Sequence, residues 1–176
     1  FIPEQWAIDT ERYVGEILFG MDSALECFVF AINAIGYSRL PSDFCDITTP
    51  EGLKRVRPAN IVSTNPKDKR NPLPGYMALF PRIVKHWAQN QKLLEEIMEY
   101  HDVSKHRCCI IAGGTAGYHA LVNQPKVPGG LFRTSIRTVE EIAKEFHEFC
   151  ESLMIETVEE LSSVFGIPVH RQDHAI

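Results

Sequence analysis

The chain has 176 residues, a hydrophobic content of 44% and a formal net charge of −5. This length suits one domain, and the hydrophobic content is enough for a core, which excludes an intrinsically disordered protein. The acidic balance argues against a broad nucleic-acid-binding face, but a local basic patch is still compatible with RNA binding. We therefore expect a single helical domain over residues 1–176.

The cysteine pattern and the apolar runs predict the cellular compartment. There are five cysteines, at Cys27, Cys45, Cys108, Cys109 and Cys150. The odd number and the absence of a CxxC pair argue against a disulfide framework and against a cysteine zinc site. The longest strongly apolar run, Cys27 to Ile35, is too short to cross a bilayer, and no signal peptide opens the chain. We expect a cytoplasmic protein with reduced thiols and no membrane contact.

The first predicted helix runs from about Asp9 to Ile35, and Gly36 is a residue type that commonly ends a helix. Its apolar side chains recur at steps of three and four, at Tyr13, Ile17, Met21, Leu25, Phe28, Ile32 and Ile35. The part from Cys27 to Ile35 is apolar nearly all round. We therefore expect that part at the centre of the fold.

Residues 37–78 are predicted to form a long irregular connection. Six prolines interrupt this segment, at Pro41, Pro50, Pro58, Pro66, Pro72 and Pro74. A short helix is expected to open at Thr49-Pro50-Glu51, because proline is tolerated in a first helical turn. The connection is also basic, with cations at Lys54, Arg55, Arg57, Lys67, Lys69 and Arg70. A loop of this length is typical of a functional or a partly disordered segment.

A second helix is predicted from about Pro81 to Tyr100. One stripe of this helix has heptad-like spacing, at Val84, Trp87, Gln91, Leu94, Met98 and His101. The apolar run 108–112 after it suits either a strand or a turn. The glycine-rich run 113–117 requires flexibility or a tight turn.

The last predicted helix begins at a capping box, Thr138-Val139-Glu140-Glu141, and ends before Gly166 and Pro168. At about 1.5 Å per residue it is about 40 Å long. Its apolar face comprises Ile142, Phe146, Phe149, Cys150, Leu153, Met154, Val158, Leu161 and Phe165. Residues 167–176 are expected to form a flexible tail.

Three long helices with few strand signals predict an all-α fold. We expect an antiparallel helical bundle, with the proline-rich loop 37–78 covering one end. The apolar stripes are broad enough to accept a partner helix. The sequence therefore also predicts a homo-oligomer, most simply a homodimer.

The segment from His101 to Arg107 concentrates two histidines, a carboxylate, a hydroxyl and two cations at the end of the second helix. One interpretation is structural. Cations complement the dipole at a helix C-terminus, and Asp102 and Ser104 can form local turn hydrogen bonds. Under this interpretation the protein is a non-catalytic helical interaction protein.

The run His101-Asp102-Val103-Ser104-Lys105-His106 resembles the arginine–polar–x–x–x–histidine signature of the HEPN superfamily of helical ribonucleases and toxin components. The resemblance implies that His106 acts in metal-independent RNA cleavage, with Asp102 in the polar position that orients it. Histidine titrates near neutral pH, as transfer of a 2′-hydroxyl proton requires. Such cleavage also needs cations beside the phosphate group, and Lys105 and Arg107 can supply them. His101 occupies the position of the family's arginine, a permanent cation that binds phosphate through bidentate hydrogen bonds.

The run from His101 to Lys105 also resembles the HD-[IV]-x-K box of HD-domain phosphohydrolases acting on nucleotides. That resemblance implies a divalent metal held by His101 and Asp102, which would activate a water molecule. The family also uses an upstream histidine and a distant aspartate. His86 lies about 23 Å from His101 along a straight helix, and residues 108–172 contain no aspartate. The sequence therefore favours a HEPN-like RNA-processing or RNA-binding protein that needs no cofactor.

Overall fold

The computed structural model describes residues 4–61, 73–106, 113–114, 120–124 and 133–167, with side chains over most of 9–61, 73–98 and 138–167. The helices are α1 (Glu4–Arg39), α2 (Pro50–Leu53), a 3-10 turn (Pro58–Asn60), α3 (Pro74–Leu79), α4 (Pro81–Gln89), α5 (Gln91–His106) and α6 (Val139–Phe165). The strands are β1 (Gly113–Gly114), β2 (Ala120–Gln124) and β3 (Arg133–Thr138). Helices dominate the described chain, which confirms the predicted all-α fold class.

The three short strands form one antiparallel sheet in the order β1-β2-β3. Gly113 pairs with Leu121, Leu121 pairs with Thr138, and the ladder is irregular between Leu121 and Asn123. The sequence did not predict this sheet, because β1 is two glycines and β3 has one apolar residue among six, so neither shows an alternating pattern. The run 108–112, predicted as a strand or a turn, lies outside the described residues.

The chain divides into two compact units. The first unit comprises Phe1–Cys27 and Lys92–Glu148, and the second comprises Phe28–Gln91 and Phe149–Ile176. Helices α1 and α6 each contribute to both units. The sequence-based expectation of one domain stays a prediction.

Helix α1 is longer than predicted at both ends, and it does not stop at Gly36. The Leu40 N–H donates to the Gly36 carbonyl at 2.8 Å, so the helical hydrogen bonding continues past the glycine. Gly36 is needed for a different reason. A Cβ at this position would overlap the ring of Phe44, which packs directly on the helix backbone.

The buried stripe of α1 also differs from the predicted one. The buried side chains are Val14, Leu18, Met21, Leu25, Val29 and Ile32. Tyr13 and Ile17 are 56% and 43% exposed, so the predicted stripe starts on the wrong face. Phe30 is 41% exposed, which shows that the apolar part 27–35 is buried on one face only. Apolar residues also lie on both sides of the buried stripe. Spacing alone therefore did not distinguish the buried face of α1 from the predicted one.

Part of α1, Arg12–Arg39, is long and apolar enough to cross a membrane on length and composition, and 39% of its most apolar window is buried. The expectation of no membrane contact was based on the uninterrupted apolar run 27–35 alone, and it stays a prediction. Core helices and signal sequences meet the same criterion. The amide of Asn33 is buried on this helix and bonds to the backbone of Cys45 in both directions, at 2.8 and 3.1 Å. Such a contact is typical of a helix packed in a protein core.

The connection predicted as irregular over 37–78 contains regular elements. The predicted short helix is confirmed as α2, where Thr49 Oγ1 accepts the Gly52 N–H at 3.1 Å and Pro50 is the first helical residue. The 3-10 turn and α3 were not predicted. The cations Lys54, Arg55 and Arg57 are exposed, whereas Lys67, Lys69 and Arg70 lie outside the described residues.

The single helix predicted over 81–100 is in fact two helices separated by Asn90. The Asn90 backbone N–H donates to the Trp87 carbonyl at 3.1 Å, and its side-chain amide donates to the His86 carbonyl at 2.9 Å. The side chain thus satisfies a carbonyl at the end of α4. Asparagine competes with helix continuation in this way, because it hydrogen-bonds nearby backbone groups.

The core of the second unit contains two aromatic groups. Phe44, Tyr76 and Phe80 contact one another, with ring centroids 4.9 to 6.3 Å apart. Trp87 stacks on Phe28 at 5.9 Å and meets Phe149 edge-on at 5.8 Å. In the first unit, the buried side chains include Leu18, Leu25, Leu94, Ile97 and Ile142.

The ends of α6 match the prediction. The Thr138 N–H donates to Glu141 Oε2 at 2.8 Å, and the Glu141 N–H donates to Thr138 Oγ1 at 3.1 Å, which confirms the capping box. Gly166, with φ of 64°, ends the helix, and the Ile167 N–H returns to the Ser162 carbonyl. The predicted apolar face is wider than the buried one, since Met154, Val158 and Phe165 are exposed. Residues 168–176 of the predicted tail lie outside the described residues.

Candidate functional site

The predicted site lies at the C-terminal end of α5, where only the backbone is described. Helix α5 continues to His106, so His101, Asp102, Lys105 and His106 all lie in its last two turns. Residues four apart share a face of a helix. Asp102 and His106 therefore lie on one face, and His101 and Lys105 on the next. Arg107 lies outside the described residues.

His86, the upstream histidine that the phosphohydrolase interpretation would use, has a packing role in the second unit. Its Nε2 lies 3.2 Å from the Phe149 carbonyl oxygen, and its ring stacks on the Phe149 ring at 5.1 Å. The straight-helix distance to His101 no longer applies, because the helix breaks at Asn90. Among the side chains that the structure describes, no three His, Cys, Asp or Glu residues are grouped to hold a metal.

A polar cleft in the second unit was not predicted from the sequence. It has a volume of about 270 Å³ and is lined by Arg82, Lys85, His86 and Gln89 of α4 and by Glu156 of α6. The four α4 residues are spaced at three, four and seven positions, so they share one helix face. That spacing was visible in the sequence, but the pairing with a residue about 70 positions later was not.

Carboxylates of α6 hold the N-terminal end of α4. Arg82 Nη1 forms an ion pair with Glu159 and lies 3.8 Å from Glu156. Glu160 is buried, and its two oxygens accept the backbone N–H groups of Arg82 at 2.6 Å and Ile83 at 3.0 Å. Burial raises the pKa of the Glu160 carboxyl, while these two N–H groups act against the rise. Glu160 thus caps a helix that has no side-chain cap of its own.

We expect Glu160→Ala to lower the free energy of unfolding by about 1–3 kcal/mol, because two N–H groups lose their acceptor inside the protein. Glu160→Gln should cost less, since its amide oxygen can still accept one bond. Urea denaturation followed by circular dichroism measures both values. Glu151→Ala, at an exposed position of the same helix, serves as the control. An alanine variant at position 160 as stable as the control would contradict the capping role.

Two of the described cysteines, Cys45 and Cys150, are poor candidates for a nucleophile. Burial raises the pKa of the Cys45 and Cys150 thiols, which keeps both protonated. Cys27 is exposed and is also a free thiol. Cys108 and Cys109 lie outside the described residues.

The sequence resemblances are limited to the motif at the end of α5. They stay predictions about this chain, because nothing beyond the motif supports either family. The described geometry adds the helical placement of the motif and the cleft between α4 and α6. No protein-family model, no curated protein and no solved structure matches the chain.

Proposed function

We propose that the protein is a cytoplasmic, HEPN-like endoribonuclease that cleaves RNA without a metal. One observation supports this proposal. Helix α5 extends to His106, so Asp102 and His106 share a face at the end of a helix. A helix C-terminus favours the protonated form of histidine, which is the form that follows proton abstraction.

In the proposed reaction, His106 accepts the proton of a ribose 2′-hydroxyl. The 2′-oxygen attacks the adjacent phosphorus, and the bond from phosphorus to the 5′-oxygen breaks. The proton passes to the departing 5′-oxygen, so the products are a 2′,3′-cyclic phosphate and a 5′-hydroxyl. Asp102 orients His106, and Lys105, Arg107 and His101 hold the phosphate charge.

His106→Ala should lower RNA cleavage in EDTA by about 10²- to 10⁴-fold, the usual contribution of a general acid–base group. The assay uses a labelled single-stranded RNA and the purified full chain. His147→Ala is the matched control, since His147 is an exposed histidine on α6. Circular dichroism checks that both variants fold.

Two outcomes would contradict the proposal. Equal cleavage by the wild type and by His106→Ala would show that the histidine has no role. Cleavage that requires a divalent metal, with metal content lost in Asp102→Ala, would support the phosphohydrolase alternative with His101 and Asp102 as ligands.

A second candidate is a non-catalytic helical interaction protein. The exposed apolar side chains of α6 favour it, since Met154, Ile155 and Val158 are 63%, 58% and 47% exposed. Apolar side chains grouped on one surface are typical of an interaction site. We propose a second copy of the chain as the partner, and sedimentation at a dimer mass would support that. Absence of cleavage with and without metal would favour this candidate over the ribonuclease.

A further inference from the structure

The cleft between α4 and α6, defined by Arg82, Lys85, His86, Gln89 and Glu156, has polar groups that the packing does not use. Within the described part of the chain, neither the Lys85 nor the Gln89 side chain has a hydrogen bond or an ion pair. Both are exposed, and they lie four positions apart on α4. An ammonium group and an amide are therefore free to bind a ligand from one side of the cleft.

Arg82 is held in place and still has donors available. Both of its carboxylate contacts use Nη1, which leaves Nη2 and Nε without a partner among the described residues. Glu156 and Glu159 together more than balance its charge, and Lys85 is a cation of the cleft that has no ion pair among the described residues. A guanidinium fixed by carboxylates loses little side-chain entropy when it binds a further acceptor.

The cleft also offers acceptors. The Phe149 carbonyl can only accept, so His86 Nε2 donates to it, and Nδ1 is an acceptor when the ring carries this one proton. The Glu156 carboxylate, with its side chain 38% exposed, is a second acceptor. Donors for a phosphate together with acceptors for a 2′-hydroxyl match a ribose-phosphate unit of RNA. The volume of about 270 Å³ lies just below the usual range of small-molecule pockets, about 300–1,000 Å³, and suits a single nucleotide.

We propose that this cleft binds one nucleotide of a single-stranded RNA, with Lys85 and Gln89 at the phosphate and Glu156 and His86 as the acceptors nearest the ribose 2′-hydroxyl. The inference rests on the proposed function, because it assigns part of the RNA substrate to a place on α4. It is separate from the chemistry assigned to His106. The cleft would add affinity without taking part in bond cleavage.

The test is RNA binding by the double variant Lys85→Ala/Gln89→Ala. Fluorescence anisotropy of a labelled single-stranded RNA is measured in EDTA, in the His106→Ala background, which prevents cleavage. Lys144→Ala is the control, since that lysine is 78% exposed and its loss removes the same charge. We expect the double variant to bind about fivefold more weakly, with a salt slope smaller by about 0.7, as expected for one lost phosphate contact on a single strand.

The outcomes separate the two proposals. Weaker binding and a smaller salt slope in the double variant, compared with Lys144→Ala, would support the cleft. Unchanged binding in the double variant, while the chain with His106 cleaves RNA, would overturn the cleft and leave the proposed function intact. Neither binding nor cleavage by any form of the protein would overturn both. Circular dichroism of each variant confirms folding.

Discussion

Trp87→Ala is expected to lower the free energy of unfolding by about 3–5 kcal/mol, the usual cost of removing a large aromatic side chain from a core. Trp87 is 1% exposed. It stacks on Phe28 and contacts the edge of the Phe149 ring. Its loss would leave both aromatic partners facing a cavity. Because this side chain of α4 contacts both α6 and the second half of α1, the second unit should be destabilised as a whole.

Trp87→Phe is the matched control, since it keeps an aromatic ring in the same place and should cost clearly less. Urea denaturation measures both variants, and a lower midpoint with an unchanged slope identifies a change in stability. Equal midpoints for Trp87→Ala and the wild type would contradict the packing described for the second unit.

Gly75→Ala should destabilise the protein by about 3 kcal/mol through overpacking. Phe44 lies between two glycines, Gly36 on α1 and Gly75 on α3, and a Cβ at either position would overlap its ring. Phe44 also contacts Tyr76 and Phe80, so it has no room to move aside. The effect is opposite to helix propensity, since alanine is the better helix former.

Gly20→Ala is the control for this prediction. Gly20 is also helical, but nothing lies within 4 Å of a Cβ there, so the change should be neutral or stabilising by about 0.5–1 kcal/mol. Phe44→Leu in the Gly75→Ala background should recover part of the lost stability, because a smaller side chain removes the overlap. If Gly75→Ala and Gly20→Ala had the same thermal midpoint, the close contact with Phe44 would be refuted.

The features that the sequence predicted are those decided by neighbouring residues. The capping box at Thr138 and the short helix after Thr49 depend on hydrogen bonds three residues apart, and both are confirmed. The break at Asn90 was missed, because asparagine is also tolerated inside helices. The extension of α1 past Gly36 was missed because the glycine was interpreted as a helix end, whereas it makes room for the Phe44 ring, which lies outside the predicted segment.

The candidate functional residues also differ in whether the sequence could reveal them. The motif from His101 to Arg107 was visible because its chemical groups are consecutive in sequence, and helix geometry then gives their spacing. The cleft was not visible, because Arg82 meets Glu156 and Glu159 only after folding. Glu160 was likewise one of many glutamates on α6 until the structure placed it at the start of α4.

The ends of the cleavage products test the proposed mechanism most directly. Wild-type protein is incubated with a defined single-stranded RNA in EDTA, and mass spectrometry identifies both new termini. Attack by the 2′-oxygen predicts a 2′,3′-cyclic phosphate on one product and a 5′-hydroxyl on the other. A substrate with a single 2′-deoxyribose at the cleaved position should stay intact there. Products with a 5′-phosphate, or cleavage only when a divalent metal is present, would contradict a metal-independent ribonuclease centred on His106.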